Sequence, residues 1–205
     1  MVNNIPDFQE LEFDEATHIY RLKGVEIPSV TTVMKPLSAE AYGGIDDATL
    51  ERAAGRGTAV HNAIENWSLY GIEDIAPELR GYFEGFLAWV HDMRPKIIGN
   101  ECRLYHKSLG YAGTADLPCV MSEKSVMVDV KTTSQLMEML ARVQLEAYVK
   151  GFESHGVSFD GKAILHLRKD GTYKFEPYPY KDPDAWRVFG ALLTVNGYAR
   201  RYKTR

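Results

Sequence analysis

Six side chains of this sequence stand out by type and spacing. Asp129-Val130-Lys131 closes the apolar run 126–131, whose alternation puts Asp129 and Lys131 on one face of a strand and Val128 and Val130 on the other. A carboxylate at the end of such a run is costly to bury alone, so either a metal ion or a plain ion pair is expected to satisfy it. The triplet pattern decides nothing by itself. With 28 acidic residues and 12 lysines, about 1.6 acid-x-Lys triplets arise by chance, and the chain has two. The second, Asp160-Gly161-Lys162, falls in a turn, where its charges are expected to be solvated. His61 with Glu65, and Gln144 with Tyr148, are each four residues apart in a predicted helix, so each pair shares a helix face. A lone helical histidine is more often a satisfied polar residue than a ligand. The ordered set His61, Asp116, Asp129, Lys131, Gln144 and Tyr148 is different, because each member lies on an element able to converge on one pocket. Carboxylates and an imidazole suit a hard divalent cation, and a lysine beside them is an adjustable proton acceptor.

The elements that must position these residues can be read from periodicity. Runs 10–14 and 17–27 open the chain, with 19–22 and 25–27 flanking Lys23-Gly24 as a β-hairpin. Pro28-Ser29 caps a short helix over 30–35. Asp46 and Asp47 cap a long helix in which Val60, Ile64 and Trp67 recur every three or four residues until Gly71, and Pro77 starts a second that ends at Arg94-Pro95. Three strands, 97–106, 111–121 and 126–131, are followed by a helix over 135–152. Strands 163–167 and 172–178 come next, and Asp182-Pro183-Asp184 opens a last helix. The order α, α, β, β, β, α, β, β, α from residue 50 onward predicts an α/β fold. Without a repeat, low-complexity tract or linker, residues 1–205 read as one domain, with 1–45 as an appendage on a core of 46–205.

Composition sets the outer limits. Of 205 residues, 45% are apolar and 25% charged, as in an ordinary soluble domain able to bury about 70% of its unfolded surface. Disordered, collagen-like and disulfide-stapled chains are excluded. No run approaches about 18 apolar residues, and the start of the chain lacks a basic and then apolar leader, so a cytoplasmic protein with no membrane partner is expected. Cys102 and Cys119 have no CxxC spacing, which suits buried thiols better than zinc or an iron–sulfur cluster. The net charge of −4 hides an asymmetry. Residues 161–205 hold 10 Lys/Arg and 4 Asp/Glu, a net of +6, leaving 14 and 24, a net of −10, for 1–160. A basic end on an acidic body fits a polyanion approaching a carboxylate-rich site neutralised by metal ions, and it equally fits surface charge without function.

Four stretches, 56–61 (Arg-Gly-Thr-Ala-Val-His), 110–116 (Gly-Tyr-Ala-Gly-Thr-Ala-Asp), 129–133 (Asp-Val-Lys-Thr-Thr) and 144–148 (Gln-Leu-Glu-Ala-Tyr), occur in an order that resembles the PD-(D/E)xK nucleases, in their RecB-like and phage exonuclease branch. The resemblance covers 55–150, and His18-Ile19-Tyr20 with Gly24 and 28–31 is similar to the N-terminal region of phage-borne members. It implies a restriction-endonuclease-like core, a central mixed β-sheet flanked by helices. It places Asp116 and Asp129 as metal-binding carboxylates, His61 as a further ligand, the backbone carbonyl of Val130 beside them, and Glu101 and Glu65 as additional acids. Lys131 would orient the attacking water, while Gln144 and Tyr148 would line the site near the strand being cut. Asp129 stands where Glu is common and Ala115 where Pro is common; both are tolerated. The iron–sulfur relatives need four cysteines, so no cluster is expected. No helicase motif is present, so the chain would act alone, as a homo-oligomer, or with a single-strand annealing or replication partner.

Hydrolysis of a phosphodiester needs an in-line water and positive charge at phosphorus, which Mg²⁺ or Mn²⁺ on such ligands supplies. The expectation is therefore a metal-dependent deoxyribonuclease, an exonuclease of phage or prophage DNA recombination, replication or repair. An inactive DNA-binding module on a nuclease fold and a sequence-preferring endonuclease are the alternatives. Arg52 and Arg56 are expected on the strand being cut. Arg200, Arg201, Lys203 and Arg205 are expected either to hold DNA farther away or to be a solvated helix end.

Overall fold

The computed structural model describes residues 5–203. Strands β1 (Leu11–Asp14), β2 (Ile19–Leu22) and β3 (Val25–Ile27) form an antiparallel meander, so the expected hairpin carries a third strand. Ser29 caps α1 (Val30–Val33), its Oγ accepting from the Thr32 amide at 3.0 Å. The single helix expected over 30–35 is two. Pro36 has no amide proton to continue the ladder, and a new helix, α2 (Lys35–Ala41), starts around it. Helix α3 (Asp47–Tyr70) keeps its expected ends, with Asp46 accepting from the Thr49 amide and Gly71 at φ 70°. A 3₁₀ turn, Pro77–Leu79, leads into α4 (Arg80–Met93), whose Phe83, Phe86 and Trp89 are fully buried. Each such ring contributes about 1.5–3 kcal/mol of apolar burial.

Two runs that look continuous in sequence are broken in space. The stretch 97–106 divides into β4 (Lys96–Ile97) and β5 (Cys102–Tyr105), and 111–121 into β6 (Ala112–Ala115) and β7 (Leu117–Met121). Glu101, at φ 43°, and Asp116 occupy the breaks. The halves pair separately: β5 with β6 as a two-stranded ribbon, β4 with β7 in the main sheet. Strand β8 (Lys124–Lys131), helix α5 (Glu138–Glu153), strands β9 (Gly161–Leu167) and β10 (Tyr173–Tyr178) and helix α6 (Pro183–Lys203) complete the chain. Helix α5 starts three residues later than the sequence suggests.

The main sheet has the order β10-β9-β8-β7-β4. Only β8 and β9 run parallel, joined through α5. The fold is thus α/β, a mixed sheet flanked by helices. Val128, Val130, Leu165 and Leu167 pack towards α3 and α4, while Met127 and Ile164 pack towards α1, α5 and α6. The meander lies on the ribbon, Leu11 and Tyr20 sharing a small core with Tyr105 and Ala112. Among the described residues no helix is long and apolar enough to cross a membrane.

Candidate metal centre

The fork between ribbon and sheet creates the site. Opposite β8, β7 ends its pairing at Leu117↔Val128, so the backbone groups of Val130 have no ladder partner on that side. A buried amide and carbonyl must be satisfied somehow. The Val130 amide donates to Asp116 Oδ2 at 2.6 Å, and the Val130 carbonyl accepts from His61 Nε2 at 3.2 Å. Asp116 is placed for this because the chain turns at the break between β6 and β7. His61 reaches in from α3, where Val60 and Ile64 bury the adjoining face. Its other nitrogen donates to Glu101 Oε1 at 3.1 Å, and Nε2 lies 3.8 Å from Asp116 Oδ2. Glu101 is fixed by its left-handed backbone and by donating its amide to the Asp116 carbonyl at 2.9 Å.

His61, Glu101 and Asp116 therefore offer one ligand atom each, all within 4.8 Å of one another. Glu65 lines the same recess, and the cleft that opens from it has a volume of about 960 Å³, walled by α3, the 98–103 segment and the meander. An imidazole, carboxylates and a neighbouring carbonyl are the donor set that Mg²⁺ or Mn²⁺ accepts.

Asp129 stands outside that cluster, on the face of β8 turned to α5. Its carboxylate is buried, and its ion-pair partner is Lys131, with Nζ 2.6 Å from Oδ2. The same-face expectation for Asp129 and Lys131 is met. Gln144 Nε2 donates to the Tyr148 hydroxyl at 2.9 Å, and the Tyr148 ring packs so closely on β6 that a Cβ at Gly113 would come within 2.7 Å of it. Only glycine fits there.

Electrostatics tie the two halves together. Burial pushes the Asp129 carboxyl up to about 6, against the pull of Lys131 and with a further push from Asp116. Burial likewise raises Asp116, only partly offset by His61. For His61 burial opposes the charge, but Asp116 and Glu101 outweigh it and carry the imidazole to about 9. For Lys131 the neutral form would be the one that desolvation favours. Burial acts in that direction, yet Asp129 and Asp116 win and hold the ammonium above its ordinary value. The Tyr148 phenol is raised well above its usual range by burial and then by the charges of Asp129 and Asp116.

Other expected positions fall out unevenly. Arg56 lies with its guanidinium 5.7 Å from the Tyr82 ring centre and its Nε buried without a hydrogen bond, whereas Arg52 is exposed and donates to Thr49 Oγ1. Arg200 donates to the Glu26 carbonyl and carboxylate on β3, and Arg201 lies over the Tyr198 ring. The Lys203 side chain and Arg205 lie outside the described residues. The expectation of a solvated Asp160-Gly161-Lys162 turn is wrong for its lysine. Lys162 lies within β9, fully buried, with its ammonium on the buried carboxylate of Glu146. Tyr42, at the end of α2, is close enough to act electrostatically on Lys131. No motif points to it, because segment 36–45 carries no periodic signal. Cys119 is buried and Cys102 half-buried, both as free thiols.

No family model and no curated protein sequence matches the chain. Among solved structures it is similar to an alkaline exonuclease from Laribacter hongkongensis, at 8% identity and a TM-score of 0.41 over 86% of this chain and 92% of that one. It is also similar to the protein SSO0001, at 14% identity and a TM-score of 0.37 over 80% of this chain and 84% of that one. Both scores are below 0.5, and the site is read from its own residues.

Proposed function

We propose that this chain is a divalent-metal-dependent deoxyribonuclease, an exonuclease acting on DNA ends in phage or prophage recombination, replication or repair. The observation that supports it most is the buried Asp129 carboxylate, whose ion pair with Lys131 does not cancel the effect of burial, beside a second carboxylate held with a histidine and a glutamate. Lys131, 2.6 Å from Asp129 Oδ2, offsets only part of the cost of burying this carboxylate, since burial still lifts Asp129 to about 6 and raises Asp116 as well, and a divalent cation in reach of both would offset the rest. His61, Glu101, Asp116, Asp129 and the Val130 carbonyl would hold it, with Glu65 at the edge of the recess. Mg²⁺ or Mn²⁺ there would supply Lewis acidity and positive charge to the phosphoryl group.

The protein's own groups then have distinct tasks. Release of the His61 proton frees an imidazole nitrogen and the Val130 carbonyl together, since that proton now bridges them. Lys131, 25% exposed at the strand end, orients the water and takes its proton once cationic neighbours lower its affinity for its own. Gln144 and the Tyr148 hydroxyl form a fixed polar edge for the strand being cut. Arg56 and Arg52 on α3 bind its phosphates, and Arg201 holds DNA farther away. A single-strand annealing or replication protein, or further copies of the chain, would present the end.

Digestion of end-labelled linear and covalently closed circular DNA tests this directly. Linear DNA is expected to be degraded from its ends with Mg²⁺ or Mn²⁺, with circles intact and Ca²⁺ supporting binding only. Nicking of closed circles would make the chain an endonuclease. Binding without cleavage under every condition would leave an inactive module, and cleavage in excess chelator would remove the metal.

A further inference from the structure

The second acid-x-lysine triplet has a place in the fold that the proposed chemistry does not use. Asp160 ties the start of β9 to the start of β8: its Oδ2 accepts from the Ser125 amide at 2.8 Å and from the Ser125 hydroxyl at 2.7 Å, and its own amide donates to the Ser125 carbonyl at 2.8 Å. Two residues on, Lys162 is fully buried, and its ammonium donates to Glu146 of α5, whose side chain is 2% exposed. Lys150 adds a longer contact of 4.0 Å to the same carboxylate.

Helix geometry gives this pair its consequence. Successive residues advance about 100° around a helix, so Glu146 points nearly opposite to Gln144 and Tyr148, two residues to either side. One side of α5 is pinned to β9 by the ion pair. The other side meets the ribbon, Tyr148 against Gly113 and Gly151 against Leu104, with the Tyr111 hydroxyl donating to the Ala147 carbonyl at 2.8 Å. Apolar contacts elsewhere on α5 tolerate small sliding and rotation. A buried ion pair does not, because either partner left alone is an uncompensated charge. Met127 pairs with Lys162 and Asp129 with Ile164 across β8 and β9, so the strand that anchors α5 is in register with the strand that carries Asp129 and Lys131.

We propose that Lys162 and Glu146 are positioning residues that set the rotation and register of α5, and so place Gln144 and Tyr148 against Asp129; Asp160 fixes the strand register on which this depends. The proposal deepens the nuclease reading for its kinetic arm and is independent of it for its spectroscopic arm.

The test compares the full-length wild type with the paired variant Glu146→Leu/Lys162→Met, which removes both charges and keeps an apolar volume. Tyrosines are replaced by 3-fluorotyrosine, with the Tyr148 ¹⁹F resonance assigned through Tyr148→Phe. The expected result is a folded variant melting no lower than wild type, with a shifted or split Tyr148 resonance and a kcat at least tenfold lower at unchanged KM. A wild-type Tyr148 resonance in the folded variant overturns the proposal, whatever the activity. If the paired variant does not fold, Glu146→Gln decides by the same resonance: a changed signal supports positioning and an unchanged one overturns it. A wild-type chain with no cleavage would count against the nuclease reading alone, because the resonance still reports where α5 sits.

Discussion

Two triplets of the same pattern sit on neighbouring parallel strands and have opposite surroundings. Asp129-Val130-Lys131 ends β8 at the fork, where β7 has turned away, and Lys131 keeps a quarter of its side chain exposed. Asp160-Gly161-Lys162 begins β9 beneath α5, so Lys162 has none exposed and one carboxylate for company. In the first the buried acid is paired with a lysine that stays a quarter exposed. In the second the acid is satisfied by Ser125 and the lysine is enclosed. Chemistry needs the first arrangement, an electrostatic demand left open to an incoming ion or substrate. Rigidity needs the second, a demand closed within the protein.

The sharpest way to break this comparison is to remove charges from each triplet. Asp129→Ala and Lys131→Ala are expected to lower turnover by ~10⁴-fold or more, above about 5 kcal/mol in the barrier, with the fold retained. Near-normal cleavage by either variant would move the active site elsewhere. Lys162→Met should do the reverse first. It strands Glu146 in the core and is expected to cost about 3–5 kcal/mol of stability, read from urea unfolding. A loss below about 1 kcal/mol would mean that water or Lys150, 4.0 Å from the same carboxylate, compensates Glu146.

The contrast also explains what could be read from residues alone. Helix ends were legible because caps act locally: Asp46 and Gly71 mark α3 where the pattern says. The shared face of Asp129 and Lys131 was legible because strand alternation has a fixed period. The fork was not, since 97–106 and 111–121 each look like one apolar run, and strand exchange between two sheets is decided by pairing partners far away in sequence. Gly99-Asn100 and Pro118 are the only local hints of it. The burial of Lys162 was hidden for a similar reason. Glycine before a lysine reads as a turn, and only the parallel pairing of β9 with β8 puts α5 over it. The carboxylates gathered around His61 were legible in order along the chain but not in their division into a cluster with Glu101 and a separate Asp129.

That division has a pH signature. His61 holds its proton up to about 9, and an ion must displace it. Affinity for Mn²⁺ should therefore rise with pH, by up to about tenfold per unit while one proton is displaced, and level off above about 9. Calorimetry in buffers of different ionisation enthalpy should find about one proton released per ion near neutral pH. In the ion-free protein the sign is opposite. The raised His61 pKa contributes stability that is complete below its ordinary 6.5 and is lost as the pH climbs through about 9. His61→Gln should flatten both profiles; unchanged profiles in that variant would take His61 out of the ligand set.

The smallest effect separates the cations near the site from those at the end of α6. Arg56 lies on α3, one turn and a half before His61, with its guanidinium steadied over Tyr82 and one buried nitrogen without a hydrogen-bond partner. Arg200 is engaged with the carbonyl and carboxylate of Glu26, so its charge is shared with an acid before DNA arrives. Each phosphate contact releases about 0.9 of a counterion from duplex DNA and about 0.7 from a single strand. Arg56→Ala is expected to lower the salt slope of binding by nearly one unit, whereas Arg200→Ala should lower it by less than half as much and act mainly by loosening α6 from β3. Anisotropy titrations with Ca²⁺ and labelled DNA between about 50 and 200 mM salt span the range where such slopes are resolved. Equal losses for the two variants would mean that DNA displaces Glu26 from Arg200, and would put the end of α6 on the DNA path.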